Sequence, residues 1–568
     1  MLCACGFASR CRNQLPHKTD DVDIYPQGEN IMTKLTMKPL VAAAALLGMA
    51  FSASAFAAEC NACHSNVAKD HAGAVHASVD CASCHSATKE HLKDIKARPS
   101  TNMDPANCGA CHPNQYKSLF TMSDKPARLS KKEATGPAPD PFFDRALGAH
   151  GFTKEHDEPR GHQMMVIDQF AVDRAFGGRF QPKDGWLYST LPDGKSYKAW
   201  NVLKDLEPSS NGQKTFMPGT ATAANAVCWT CKSSDAMLDW AYMGDKVEGA
   251  KWNRGSDPVQ LVRTVQHAIN CNICHDPHSG KPRIQRDALI DAMTRDDPNN
   301  VYKTMAANPT TVDVKDAGVR GFTRKLGFLG RSDSRLMCAQ CHVEYVCNPG
   351  IDAKTGQKIG FDNRLTNHFP WKNADQIEAY YEEVGFRDFK HNRTGALLVK
   401  MQHPDSETFF GSVHDKAGAE CQTCHMPKVK DKDGKTFTLH WATSPKHYVK
   451  ETCLTCHKDK NEKQMVTAID TMKNHFRGKL RETEARMNDM FDAFDLAKVA
   501  GVDEKVLEEA RKLHSTAHLN WEYWTAVNGA YFHNHEMAMR SLAKATKAAT
   551  DASTLLRKAI DEKNAAKK

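Results

Sequence analysis

Cys228-Trp229-Thr230-Cys231-Lys232 departs by one residue from a pattern that the chain repeats seven more times. The other copies end in histidine: Cys60, Cys63 and His64; Cys81, Cys84 and His85; Cys108, Cys111 and His112; Cys271, Cys274 and His275; Cys338, Cys341 and His342; Cys421, Cys424 and His425; Cys453, Cys456 and His457. Cys-x-x-Cys-His attaches c-type haem: two thiols become thioethers to the porphyrin and the adjacent histidine takes an axial iron position. Zinc sites pair Cys-x-x-Cys units but place no demand on the next residue, so seven histidines in register exclude that reading. The spacing predicts eight covalently bound haems and a mainly α fold with little regular sheet, a compact haem core and long C-terminal helices.

Of twenty cysteines, the eight motifs leave only Cys3, Cys5, Cys11 and Cys347, so disulfides have little to draw on. The first three precede an export signal: Lys34 and Lys38, then the apolar Leu40 to Phe51, then the small-residue site Ala55-Phe56-Ala57. The expected leader is 1–57, with 32–57 the signal peptide cleaved near Ala57. Residues 1–31 precede this complete signal and read as an over-extended start. The apolar stretch is too short to span a bilayer and nothing later reaches that length, so the expected location is the periplasm.

The formal charge of +8 would characterise a basic protein. Two propionates on each haem bring the loaded protein to neutral or acidic, so no nucleic-acid partner is expected and the basic residues read as propionate partners and as a field drawing small anions inward.

Motif spacing divides the remainder in three. Residues 58–145 carry three motifs, 146–458 carry five, and 459–568 carry none and read as helix. In the last part Leu507, Ala510, His514, Ala517, Trp521, Trp524 and Tyr531 follow a three-four spacing that predicts one face of a long helix, chiefly core packing and fit for a subunit interface. His514, His518, His533 and His535 ride with it as further candidate haem ligands.

Lys232 binds iron only as the free amine, and a haem whose other face meets no side chain takes a small molecule there. Two functions of different class follow: a wire of eight capped haems, or an enzyme reacting at the lysine haem and fed by the other seven. Replacing one proximal histidine gains a wire nothing obvious. An octahaem enzyme oxidising hydroxylamine or hydrazine is a third reading.

Cys228-Trp229-Thr230-Cys231-Lys232 resembles the active-site motif of the ammonia-forming cytochrome c nitrite reductases. Further segments follow in order. Pro159-Arg160-Gly161-His162 is similar to that family's catalytic arginine segment, His342-Val343-Glu344-Tyr345 to its tyrosine segment, and Lys400-Met401-Gln402-His403-Pro404 to its catalytic histidine segment, with Gly411-Ser412-Val413-His414 beyond. The likeness runs from about Ala146 to the C-terminus. Three additional N-terminal haems match the octahaem branch, as does Cys347, two residues after Tyr345, where that branch carries a thioether to the tyrosine ring. Alone, a single cysteine is ordinarily a small buried hydrophobe.

The resemblance implies six-electron reduction of nitrite to ammonium, with Lys232 as proximal ligand of the reactive haem and Arg160, Tyr345 and His403 around the substrate. Without it, Arg160 reads equally as a propionate partner and His403 as a distal ligand. It implies a calcium ion held by the Glu344 carboxylate, the Tyr345 and Lys400 carbonyls and the Gln402 amide oxygen, a set of hard oxygens. It implies distal ligands His414 for the last haem, His440 for that at Cys271, His533 for that at Cys421 and His150 for that at Cys338. His71, His76 and His91 are N-terminal candidates by proximity only. Hydroxylamine, nitric oxide and sulfite fit the same site. A quinol dehydrogenase or small cytochrome is the expected electron donor, and the family forms homo-oligomers.

Overall fold

The computed structural model describes residues 60–86, 88–120 and 226–567, apart from gaps at 258–259, 262–263, 305–309, 320 and 347–349, with isolated positions between 142 and 197. The leader, Arg160, His150 and Cys347 lie outside the described residues. The chain divides after Ser65 into two units. The first contains the Cys60 motif, a helical turn in which the His64 amide donates to the Cys60 carbonyl at 3.0 Å.

The second unit is mainly helical. Its largest sheet has three antiparallel strands, Arg283–Ile284 (β1), Val312–Val319 (β2) and Phe322–Leu329 (β3), in the order β1-β3-β2. β1 leads through Arg286 into the buried helix Asp287–Thr294 (α1). The short helix Asp405–Phe409 (α2) follows the His403 segment.

Three long helices close the chain: Glu462–Ala500 (α3), Glu504–Ala526 (α4) and His535–Ala566 (α5). Asn461 and Gln464 cap the start of α3 reciprocally, and Gly501 ends it at φ 75°, the left-handed conformation a side chain resists. α3 and α4 both pack on α5, where Ala545, Ala549 and Ala552 are fully buried and let the backbones approach. The 39 residues of α3 make it about 58 Å long at the α-helical rise. Among the described residues, no helix is long and apolar enough to cross a membrane.

The expected face is present on α4 from Leu507 to Trp524, all six residues buried. Tyr531 departs from it. Val527 turns extended (φ −70°, ψ 125°) and Gly529 left-handed (φ 63°), so Tyr531 belongs to the separate short helix Ala530–His533 and packs towards Phe476.

Two apolar clusters organise the unit. One surrounds Met487, Phe491, Phe494, Trp521 and Trp524 on the long helices. The other surrounds Trp229, Trp240, Leu289, Leu336, Tyr345, Phe369 and Trp371, and contains the lysine motif.

Candidate active site

Each motif begins as one helical turn, because a turn brings residues i, i+3 and i+4 to one side. The amides of His112, His275, His342 and His457 donate to the carbonyls of Cys108, Cys271, Cys338 and Cys453 at 2.9–3.0 Å. The lysine motif closes more tightly, the Lys232 amide meeting the Trp229 carbonyl at 3.0 Å. Cys228 and Cys231 are both buried, whereas every other motif cysteine is at least partly exposed. Lys232 itself is half-buried, and its charge reaches Cys341 and His342.

Motifs distant in sequence meet. The thiols of Cys231 and Cys341 are in hydrogen-bonding contact, as are Cys108 with Cys271 and Cys338 with Cys421. Within the first pair the Cys231 thiol is pushed down by the Cys341 contact, Arg286 and Lys232. Cys338 joins the Cys421 motif while Cys341 joins the lysine motif, so residues 338–342 stand between the two.

The histidine rings test whether iron fits. Two imidazoles bound to opposite faces of one iron, with metal–nitrogen bonds of about 2 Å, hold their ring centroids roughly 6 Å apart. His85 faces His278 at 6.3 Å, His112 faces His76 at 6.3 Å and His342 faces His162 at 6.4 Å. His425 faces His533 at 6.1 Å and His457 faces His414 at 6.4 Å. His275 lies beside His440, and burial followed by the nearby His440 pushes it down to about 4. The donor set and spacing fit haem.

Second partners orient these rings. The Nδ1 atoms of His76, His425 and His440 meet the carbonyls of Pro277, Thr443 and Thr438 at 3.0, 2.9 and 2.8 Å. A ligating histidine needs such a bond to fix its tautomer and present Nε2 to the metal. His91 Nδ1 meets the Ala97 carbonyl at 2.7 Å, and His71 is half-buried on Ser65–Ala72. His162 and His278 were not singled out as ligands by sequence. His278 lies only three residues after His275, but folding across the chain carries it to His85.

The tyrosine and histidine segments are bonded together. The Gln402 amide donates to Glu344 Oε2 at 2.6 Å, the Ser406 amide to the His342 carbonyl at 3.0 Å, and the Glu344 amide to Glu407 Oε1 at 2.9 Å. Tyr381 donates its hydroxyl to Glu344 Oε1 at 2.9 Å. Tyr345 is buried against Phe369 and His403 is half-buried.

Glu344 and Glu407 are fully buried. Burial pushes the Glu344 carboxyl well above its ordinary range, against the Gln402 amide and Tyr381 hydroxyl that favour the ionised form. Burial does the same to Glu407, whose Oε2 has no partner. Two buried carboxylates with an orphaned oxygen fit a hard cation in donor chemistry. Among the described residues no cluster of three His, Cys, Asp or Glu side chains could hold a metal, so calcium would draw on Gln402 and carbonyl oxygens too. Lys400 Nζ meets Gln402 Oε1 at 2.9 Å, and calcium would take that oxygen in its place.

Arg286 completes the wall and carries no sequence signal. It is fully buried, pairs with Asp287 at 2.8 Å and lies over the Phe369 ring at 5.2 Å, leaving Nε and Nη2 without partners. Its charge reaches Cys231, Cys341 and Tyr345.

The fold and the motif turns define a multihaem c-type cytochrome. Residues 192–568 match the cytochrome c552 family, and the chain belongs to it. It is 30% identical over 425 residues to cytochrome c-552 of Haemophilus influenzae (strain ATCC 51907 / DSM 11121 / KW20 / Rd), covering 72% of this chain and 66% of that protein. It thus spans just under two thirds of that relative's length. Cytochrome c-552 of Haemophilus ducreyi is 28% identical over 454 residues, covering 77% and 72%. The fold is similar to the catalytic subunit of the cytochrome c nitrite reductase of Desulfovibrio desulfuricans ATCC 27774, a structure described with two calcium sites. There the TM-score is 0.53 and the identity 22%, over 81% of this chain and 87% of that one.

Proposed function

We propose that the chain is a periplasmic octahaem nitrite reductase that forms ammonium at the Lys232 motif. The observation that carries this is the setting of the lysine: its motif is the buried one, it abuts Cys341, and the segment of His403 is hydrogen-bonded to the residue preceding Tyr345. A motif serving only electron transfer has no need of that company.

Taking nitrogen from +3 to −3 needs six electrons and several protons. When bound, the haem supplies electrons and a Lewis-acidic iron for the anion; the chain supplies the rest. Arg160 holds an anionic oxygen by charge-assisted hydrogen bonds and stays protonated. His403 hydrogen-bonds the other oxygen and delivers protons as N–O bonds break. Tyr345 offers a phenol donor whose acidity a thioether to Cys347 alters. Glu344 and Gln402, with the Tyr345 and Lys400 carbonyls, would hold a calcium ion, which would fix both segments and add positive potential.

The facing rings support His278, His76, His162, His533 and His414 as distal ligands for the motifs at Cys81, Cys108, Cys338, Cys421 and Cys453, and the nearness of His440 to His275 supports it for the motif at Cys271. The touching motifs support relay towards Lys232, with electrons entering through the N-terminal haems.

The test is nitrite-dependent oxidation of reduced viologen by the haem-loaded protein with ammonium quantified. Ammonium in proportion to nitrite is expected. No ammonium from a fully loaded protein overturns the proposal.

A further inference from the structure

The histidines facing the haem positions do not all have the same second partner. His85 meets the Thr101 hydroxyl at 3.2 Å, and His76, His425 and His440 meet backbone carbonyls. All of these are neutral oxygens. His342 instead meets a carboxylate directly, with Nδ1 2.7 Å from Asp405 Oδ2, whereas the carboxylate beside His278, Asp276 Oδ1, stands 3.7 Å from its Nδ1.

Asp405 is buried and held on every side. The Asn528 backbone amide donates to its Oδ1 at 2.6 Å and the Asn528 side-chain amide to its Oδ2 at 2.9 Å. Its own amide donates to the His403 carbonyl at 2.6 Å, and the next amide, Ser406, donates to the His342 carbonyl at 3.0 Å. The carboxylate therefore cannot swing away from the imidazole.

We propose that Asp405 is a positioning residue that lowers the redox potential of the haem at the Cys338 motif, the motif standing between the lysine motif and the Cys421 motif. The reading rests on residues 338–342 binding haem, and not on nitrite being the substrate. A carboxylate accepting the Nδ1 proton gives the imidazole anionic character, makes Nε2 a stronger donor and stabilises the oxidised iron over the reduced one. A carbonyl does this weakly. Low potential at this place matters because the motif touches the lysine motif through Cys341 and Cys231, so an electron held there has a downhill move to the reactive site.

The test is potentiometric titration of the visible spectrum of the full holoprotein carrying Asp405→Asn, which keeps the shape and removes the charge. One of eight components is expected to move to higher potential, with at least a tenfold greater reduced-to-oxidised ratio at fixed potential, equivalent to 59 mV for a one-electron couple. Asp405→Glu should recover part of the shift. Eight unmoved components in a fully haem-loaded variant overturn the proposal, whatever the nitrite turnover. Should Asp405→Asn not load its haems, Asn528→Ala decides: freeing the carboxylate of its other side-chain donor moves the same component to lower potential, and no shift or an upward shift overturns the proposal.

Discussion

The amide of Gln402 donates to the Glu344 carboxylate at 2.6 Å, bonding the residue before His403 to the residue before Tyr345. Two segments 58 residues apart thus move as one body, and the position of each candidate proton donor depends on the other.

Glu344→Gln tests that coupling. The neutral amide keeps the shape but removes the charge that would hold calcium. Ammonium formation is expected to fall by at least about 10–100-fold, the loss that follows removal of even an outer partner of a metal ligand, with haem content unchanged. A chelator should slow the wild type and leave the variant unaffected. A variant still sensitive to chelator would place the metal elsewhere.

His162→Ala tests the ring facing His342. If His162 caps that iron, the variant converts one low-spin haem to high-spin in its EPR and visible spectra, while His150→Ala leaves the spectra unchanged. The reverse result would assign His150 to the Cys338 motif.

Acid sensitivity follows from histidines outside the motifs. Burial pushes His391 down to about 4, His518 down to about 3 and His514 well below its ordinary value. Their folded pKa values are depressed, so the unfolded chain binds the extra protons, and their contribution to stability is lost as pH falls below about 6.5, by up to about 1.4 kcal/mol per pH unit for each. Glu522, bonded to His518 at 2.8 Å and pushed up to about 8 by burial, acts in the opposite direction, losing stability as pH rises towards that value. Denaturant midpoints between about pH 4 and 6.5 should depend less steeply on pH in His514→Leu than in wild type. Equal slopes would contradict the assignment.

Gly501→Ala tests the end of α3. A Cβ there meets nothing within 4 Å, so only the left-handed backbone opposes it. The expected cost is about 1–2 kcal/mol, read as a lower midpoint in thermal loss of the helical signal. An unchanged midpoint would mean α3 frays at this end without consequence.

Features set by neighbouring residues were legible in the sequence, and those set across the fold were not. Attachment motifs and the buried face of α4 are local patterns, and both were legible from spacing. Tyr531 was not, because a three-four spacing continues on paper through Val527 and Gly529, whose backbone conformations end the helix. Pairings across the fold were beyond a pattern: His85 with His278, His342 with His162, and His342 with Asp405 join residues 63 or more positions apart. Arg286 was invisible for another reason, since its importance lies in burial beside Cys231 and not in any motif.

Lys232→His tests whether the lysine is what makes its haem the reactive one. With eight haems attached and ammonium measured under reduced viologen, the variant is expected to lose at least 99 in every 100 turnovers, about 2.7 kcal/mol in barrier, while the other haem spectra stay as they were. Full nitrite turnover by Lys232→His would contradict this role for the lysine.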